Sequence, residues 1–438
     1  MSLCWQKDLE TMPRAELEAY QLKKLKASMV QAARSPFYGK VFREKNINPE
    51  NLHSIQDITS LPLTTKEDLR GNFPYGFLTV PKNEIVRMHC TSGTTGNPTM
   101  IFYNRHDLES WSNLVARCLF AIGAREDDVF QNICGYGLFT GGLGFQDGAE
   151  KLGATTIPSA AGNSVRQIML MRTLGTTVIH TIPSYLTRLY EVFVEQGLDP
   201  RRDTKLRLFA IGSEPHTEEQ RRRIEEMFGV RAFNSFGMTE MNGPGVAFEC
   251  ECQYGMHVWE DAYIAEILDP DTLEPVPDGE MGELVMTTID REAMPIIRYR
   301  TRDLTRFLPG ECPCGRTHRR LDRFAGRTDD MFIIKGCNVF PMQIEKILMR
   351  FPEVSTDYQI VLDTVQGVDE MQIKVEFNRD FFTGEREVLE SLHHKLRSAV
   401  RDEVLVTPKV QIVEPGALPR AEGKAVRVRD LREAKKGA

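Results

Sequence analysis

Five short segments place side together groups that can grip phosphate, hold a divalent cation or neutralise an anion. In Thr91-Ser92-Gly93-Thr94-Thr95-Gly96-Asn97-Pro98-Thr99, two glycines and four hydroxyl residues precede Pro98. Backbone N–H groups and hydroxyls so arranged can wrap around an anion. The run lacks the Gly-Lys-Ser/Thr ending of a Walker loop, so any phosphate grip here is of another kind, and a Gly/Thr turn is the plainer reading. Asn234-Ser235-Phe236-Gly237-Met238-Thr239-Glu240 offers a ring to stack on a base, a carboxylate for Mg²⁺ at Glu240, and Thr239 to reach phosphate. Taken alone it also fits a strand-end turn with a solvated Glu. Tyr299-Arg300-Thr301-Arg302-Asp303-Leu304 sets a carboxylate among arginines. Asp303 can accept both hydroxyls of a ribose, or form an ordinary surface ion pair. Gly326-Arg327-Thr328-Asp329-Asp330 precedes Ile333-Ile334-Lys335-Gly336, and Leu418-Pro419-Arg420-Ala421-Glu422-Gly423-Lys424 ends on a Lys in a glycine-containing loop.

A second kind of chemistry lies in the cysteines. Four of the nine form two C-x-C pairs, Cys250/Cys252 and Cys312/Cys314, and His257 follows the first pair. Thiolate and imidazole are zinc's preferred ligands, and four of them close a tetrahedral site. C-x-C is tighter than the usual zinc spacing, and reduced surface thiols are the alternative.

The elements that must position these groups follow from periodicity. Residues 14–34 repeat Leu17, Leu25, Met29 and Ala32 at roughly helical spacing, and Ser35-Pro36 stops them. Thr65 before Lys66-Glu67-Asp68 reads as an N-cap with acids in the first turn. From 177 to 233 strands and helices alternate: strands at 177–182, 206–211 and 230–233, helices at 183–196 and 218–228. That rhythm predicts a parallel sheet covered by helices. Residues 263–307 read as an antiparallel β subdomain, extending over about 245–325. A boundary falls near 326–330. Beyond it lie strands at 331–334, 357–362, 370–377 and 409–413 and helices at 341–351 and 385–400, a compact α+β unit, with a frayed tail after Val428.

Composition sets outer limits. The 438 residues exceed one ordinary core. With 41% hydrophobic and 27% charged residues the chain is globular, and a net charge of −7 disfavours polyanion binding. No nucleic acid or membrane partner is expected, because there is neither a basic stripe nor a run near the ~18 apolar residues of a membrane helix. Nine cysteines without a signal-like N-terminus point to a reducing cytoplasm.

Together, and in their order along the chain, the five segments resemble the adenylate-forming superfamily of acyl- and aryl-CoA ligases, luciferase and nonribosomal peptide adenylation domains. The resemblance runs from about Pro36 to Lys424. It is nearest to the phenylacetate–CoA ligase subgroup through residues 136–144, Gly212-Ser213-Glu214-Pro215, 295–303, and 329–331 on to 338–341. It implies an α/β N-terminal domain, 1–328, and a mobile C-terminal lid, 329–438, turning about Asp329. It implies ATP, Mg²⁺ and coenzyme A, an acyl-adenylate intermediate, and a homodimer. Thr91 to Gly96 would cradle phosphates, and Glu240 would ligate Mg²⁺ with Thr239 on phosphate. Phe236 would flank adenine where most relatives carry Tyr. Ser213, Glu214, Pro215, Asn234, Ser235, Gly237 and Met238 would line the nucleotide site, with Asp303, Arg323 and Arg327. Lys424 would bridge carboxylate and α-phosphate in adenylation. Lys335 lies where the thioester-forming face of the lid is expected, and is equally readable as a surface cation. Tyr136, Phe139, Gly141, Gly142 and Ile182 would line the acid pocket. Gln146 stands near that pocket where relatives commonly show His, which bears on which aryl acid binds. The resemblance also implies a structural zinc site of Cys250, His257, Cys312 and Cys314, with Cys252 an alternative to Cys250.

Two other readings keep part of this picture. One activates another aryl acid or cofactor by adenylation without CoA; the other is a non-catalytic zinc-containing scaffold.

Overall fold

The computed structural model describes residues 4–91, 98–334, 337–365, 368–381, 386–419 and 426–432. Its main sheet has nine strands, in the order Phe307–Leu308, Arg320–Leu321, Met256–Val258, Gly243–Glu249, Arg231–Met238, Leu208–Gly212, Val178–Thr181, Val129–Asn132 and Thr155–Ile157. The last five run parallel. From Arg231–Met238 outward to Phe307–Leu308, successive strands are antiparallel.

Side-chain alternation along the parallel strands explains their two-sided cover. Val178, Leu208 and Ala210 enter one core with Trp111, Val115 and Phe145, from helices Arg105–Ala121 and Thr140–Leu152. Ile179, Phe209 and Ile211 enter the opposite core with Met171, Leu186, Phe193 and Phe228, from helices Ser164–Leu174, Pro183–Glu195 and Glu218–Phe228. A period of two along each strand, apolar on both faces, is what a parallel sheet between helix layers requires. The N-terminal helix spans Arg14–Ala32, and Thr65 caps Lys66–Gly71 in a reciprocal box with Asp68.

Two expectations need correction here. The antiparallel unit expected over about 245–325 divides between two sheets. Tyr263–Leu268, Gly282–Thr288, Tyr299–Thr305 and Gly326–Arg327 form a four-stranded sheet, whereas Gly243–Glu249, Met256–Val258, Phe307–Leu308 and Arg320–Leu321 extend the main one. The strand expected over 230–233 continues through the motif to Met238, because Leu208–Gly212 pairs on one side of it and Gly243–Glu249 on the other.

The C-terminal region has its own core of Phe332, Ile344, Leu348, Ile360, Ile373, Leu396 and Val400, among others. Its sheet is ordered Lys409–Val413, Val368–Phe377, Val354–Val365, Val428–Asp430. The fraying expected after Val428 does not begin there: Val428, Arg429 and Asp430 pair in parallel with Ile360, Val361 and Leu362, and residues 433–438 lie outside the described residues. Among the described residues, no helix is long and apolar enough to cross a membrane.

Candidate active site

The chemistry-bearing segments converge at the carboxyl edge of the parallel strands, where open α/β sheets leave a crevice. Leu208–Gly212 delivers Ser213, Glu214 and Pro215; Arg231–Met238 delivers Thr239 and Glu240; Val178–Thr181 delivers Ile182; Val129–Asn132 leads to Tyr136. Gly212 is dictated by this register, since a Cβ there would lie 2.2 Å from Ser235 Oγ and 2.5 Å from its carbonyl oxygen. Ser213 then turns with φ of 66°, a left-handed conformation costly for a residue bearing a Cβ. Glu214 accepts from the Ser184 N–H and hydroxyl, at 2.5 and 3.0 Å, and so ties this turn to the first turn of helix Pro183–Glu195.

Two sheets meet at Glu240. Its side chain is 5% exposed, and Oε1 accepts from the Tyr299 hydroxyl at 3.0 Å. Arg291 donates to the Glu240 carbonyl at 2.8 Å, which fixes the backbone as well. Burial first, then the Glu240 charge, pushes the Tyr299 hydroxyl well above its ordinary pKa, so it stays a donor to that carboxylate. Tyr299 has no role in the sequence reading, although it opens the segment that contains Asp303.

Asp303 sits on the same strand, 3.2 Å from Arg327, and burial outweighs that cation to push its carboxyl up to about 6. Arg327 also holds Asp329 at 2.8 Å, which keeps the Asp329 carboxyl low despite burial. The proposed hinge residue is thus wired to the proposed ribose ligand through one guanidinium. Arg323 pairs instead with Glu218 at 2.8 Å and faces Glu249 at 3.5 Å. Asn234 donates its N–H to Glu249, Ser235 donates its hydroxyl to Ile211 O, and the buried Phe236 ring lies 4.4 Å from that of Phe324. Gly237 and Met238 close the strand against Pro244 and Gly243.

On the acid-pocket side, Tyr136 donates to Gln146 Oε1 at 2.7 Å and accepts from Asn132 Nδ2 at 3.0 Å. Gln146 donates onward to Glu150, and Asn132 Oδ1 is bonded to Nδ1 of His180. Both hydrogen-bonding roles of the Tyr136 hydroxyl are thereby filled by protein. Gln146, marked in sequence by its departure from a common His, thus fixes a ring of the candidate pocket. His180 is buried against Phe145 at 3.6 Å, and burial pulls its pKa down to about 3. Phe139 is exposed, and a Cβ on Gly142 would lie 2.5 Å from Gly135 O.

Thr91 and Thr99 form the neck of the hydroxyl-rich loop. The Thr91 N–H donates to Thr99 O, and the Thr99 N–H donates to Thr91 Oγ1, each at 3.1 Å. Ser92, Gly93, Thr94, Thr95 and Gly96 lie outside the described residues, as do Lys335 and Lys424.

At the opposite end of the strand pair, Cys250, His257, Cys312 and Cys314 bring their ligand atoms within 4.8 Å of one another. Cys250 Sγ is 3.7 Å from Cys312 Sγ, and Cys314 Sγ is 3.4 Å from His257 Nε2. His257 donates its Nδ1 proton to His318 O at 3.0 Å, which leaves Nε2 facing the thiols. Cys252 is exposed and outside this group.

Comparison with known proteins extends this picture. The family model described as AMP-binding enzyme matches residues 15–289, and that of the AMP-binding enzyme C-terminal domain matches residues 336–432. The phenylacetate–coenzyme A ligase of Thermus thermophilus is 43% identical over 98% of this chain and 100% of its own length. A 2-hydroxyisobutyryl-CoA ligase, solved in the postadenylation state with 2-HIB-AMP, is 32% identical, covers 100% of this chain and 94% of its own, and has a TM-score of 0.93. The same ligase with 2-HIB-AMP and CoA in the thioesterification state, at the same identity and coverage, has a TM-score of 0.73.

Proposed function

This chain belongs to the AMP-binding enzyme family, and from that premise we propose that it is an AMP-forming phenylacetate–CoA ligase. The observation that carries the acid's identity is the 43% identity to a phenylacetate–CoA ligase over essentially both full lengths. A carboxylate oxygen attacks the α-phosphorus of ATP and pyrophosphate leaves. The CoA sulfur then attacks the acyl carbonyl, its proton passing to solvent, and AMP leaves with the electrons of the mixed-anhydride bond. Little covalent chemistry falls to the protein, so its work is positioning and charge stabilisation.

The residues divide that work. Asp303 accepts the ribose hydroxyls, the Thr91–Thr99 neck presents the phosphate loop, and Lys424 neutralises charge developing at the α-phosphate. Tyr299 occupies Oε1 of Glu240 and leaves Oε2 as a hard oxygen donor suited to Mg²⁺, which supplies charge neutralisation on the leaving phosphates. Tyr136, with its hydroxyl saturated by Gln146 and Asn132, offers a ring face and no free hydrogen bond, which suits an unsubstituted aryl ring. The homodimer that the resemblance implies belongs to the same proposal.

The Cys/His group fits zinc by its donors and spacing. Ligands on a tetrahedron with ~2.3 Å Zn–S bonds stand about 3.8 Å apart, and a sulfur–nitrogen edge is slightly shorter. The 3.7 and 3.4 Å separations match those two edges. Arg316, paired with the buried Glu10 at 2.7 Å, lies close enough to Cys314 for their charges to interact.

The direct test is pyrophosphate release with a panel of aryl acids, with and without CoA. Phenylacetate should give release and, with CoA, sustained turnover. Turnover indifferent to CoA would refute the thioester step and leave adenylation standing. A second expectation concerns pH. Asp303 must be ionised to accept two hydroxyls, and its carboxyl takes up a proton as pH falls through about 6. ATP affinity should therefore weaken below that pH, whereas Asp303→Asn should bind ATP weakly with no such step. Identical ATP pH profiles for the two proteins would remove Asp303 from the ribose.

A further inference from the structure

Helix Glu218–Phe228 begins directly after the Gly212-to-Thr217 turn of the candidate site and carries Arg223 to the C-terminal domain. There the guanidinium donates to three backbone carbonyls: Met349 O at 2.6 Å, Val354 O at 2.9 Å and Phe351 O at 3.1 Å. Met349 caps helix Pro341–Leu348, and Val354 opens strand Val354–Val365. The carbonyls thus gather at the negative end of a helix, where orphan acceptors need donors. The neighbours of Arg223 behave differently: Arg221 and Arg222 both pair with Glu218 on their own helix. Arg223 is half-buried and, among the described residues, is in no ion pair. Its partners all belong to the other domain. A second polar contact, Thr356 Oγ1 to Thr187 Oγ1 at 3.1 Å, crosses the same boundary.

Three bonds from one planar fork to carbonyls of a separately cored unit survive only in one domain orientation. The fold agrees with the postadenylation form of the 2-hydroxyisobutyryl-CoA ligase at a TM-score of 0.93 and with its thioesterification form at 0.73, so the contacts belong to the former arrangement. We propose that Arg223 is a positioning residue for the first half-reaction: its bonds to the 349–354 carbonyls hold the C-terminal domain in the adenylate-forming orientation and must break before thioester formation. The proposal rests on the ligase reading above. It places the control of domain exchange on a residue that touches neither nucleotide nor acid.

The experiment measures each half-reaction separately in the full-length wild type, Arg223→Ala and Arg223→Lys. Adenylation is followed as pyrophosphate release with ATP, Mg²⁺ and phenylacetate, and thioester formation as CoA consumption with supplied phenylacetyl adenylate. Arg223→Ala should slow adenylation roughly tenfold and leave thioester formation equal or faster, since charged hydrogen bonds that favour one state are lost. Arg223→Lys should fall between, because an ammonium cannot span three carbonyls. Small-angle scattering of Arg223→Ala with ATP should move away from the profile of this arrangement. Equal losses in both half-reactions, or no change in either, would overturn the latch. A wild type that releases no pyrophosphate with any acid would instead overturn the ligase reading.

Discussion

Lys424→Ala should lower acyl-adenylate formation by about 10²–10³-fold while thioester formation from supplied phenylacetyl adenylate proceeds at the wild-type rate. The asymmetry comes from where charge develops. In the first step a carboxylate approaches an already anionic α-phosphate, and a cation placed between them stabilises the transition state more than the separate reactants. In the second step the nucleophile is a thiol and the leaving group is AMP, so no cation is needed between two approaching anions. A uniform loss in both steps would mean that Lys424 serves stability or general binding. Lys424→Arg sharpens the comparison: it keeps the charge and changes its shape, so partial recovery of adenylation alone would support a point-charge role.

Loss of a zinc ligand should act on stability and spare the chemistry. Purified protein should carry one zinc per chain, and Cys312→Ser should lose it and melt about 5–10 °C lower. Cys252→Ser should retain the metal, because Cys252 is exposed and outside the four-residue group. The adenylation rate per folded molecule should be unchanged. Register explains why: Met238 pairs with Gly243 at the site end of the strand pair, whereas Cys250 follows Glu249 at the other end. Zinc-free wild type, or a Cys312→Ser protein as stable as the parent, would dismiss the metal.

What the sequence made legible was chemistry held in short runs. The Thr65 cap and the alternating strands and helices of 177–233 are written within a few residues of where they act. What stayed hidden depends on partners far along the chain. Phe307–Leu308 and Arg320–Leu321 carry too little pattern to reveal that they finish the edge of a sheet begun at Val129. Tyr299 is an ordinary strand aromatic until the fold sets its hydroxyl against Glu240, 59 residues earlier. Arg223 looks like one more charge on a charged helix, because the carbonyls that bind it leave no trace in composition.

The last strand, Val428–Asp430, has a mechanical consequence. It is zipped to Ile360–Leu362, and on the other side of Lys424 in sequence Lys409–Val413 is zipped to Gln372–Glu376. The two strands are the opposite edges of one four-stranded sheet. The chain between them leaves at one border of that sheet and returns at the other, so any rotation of the sheet carries both of its anchor points together.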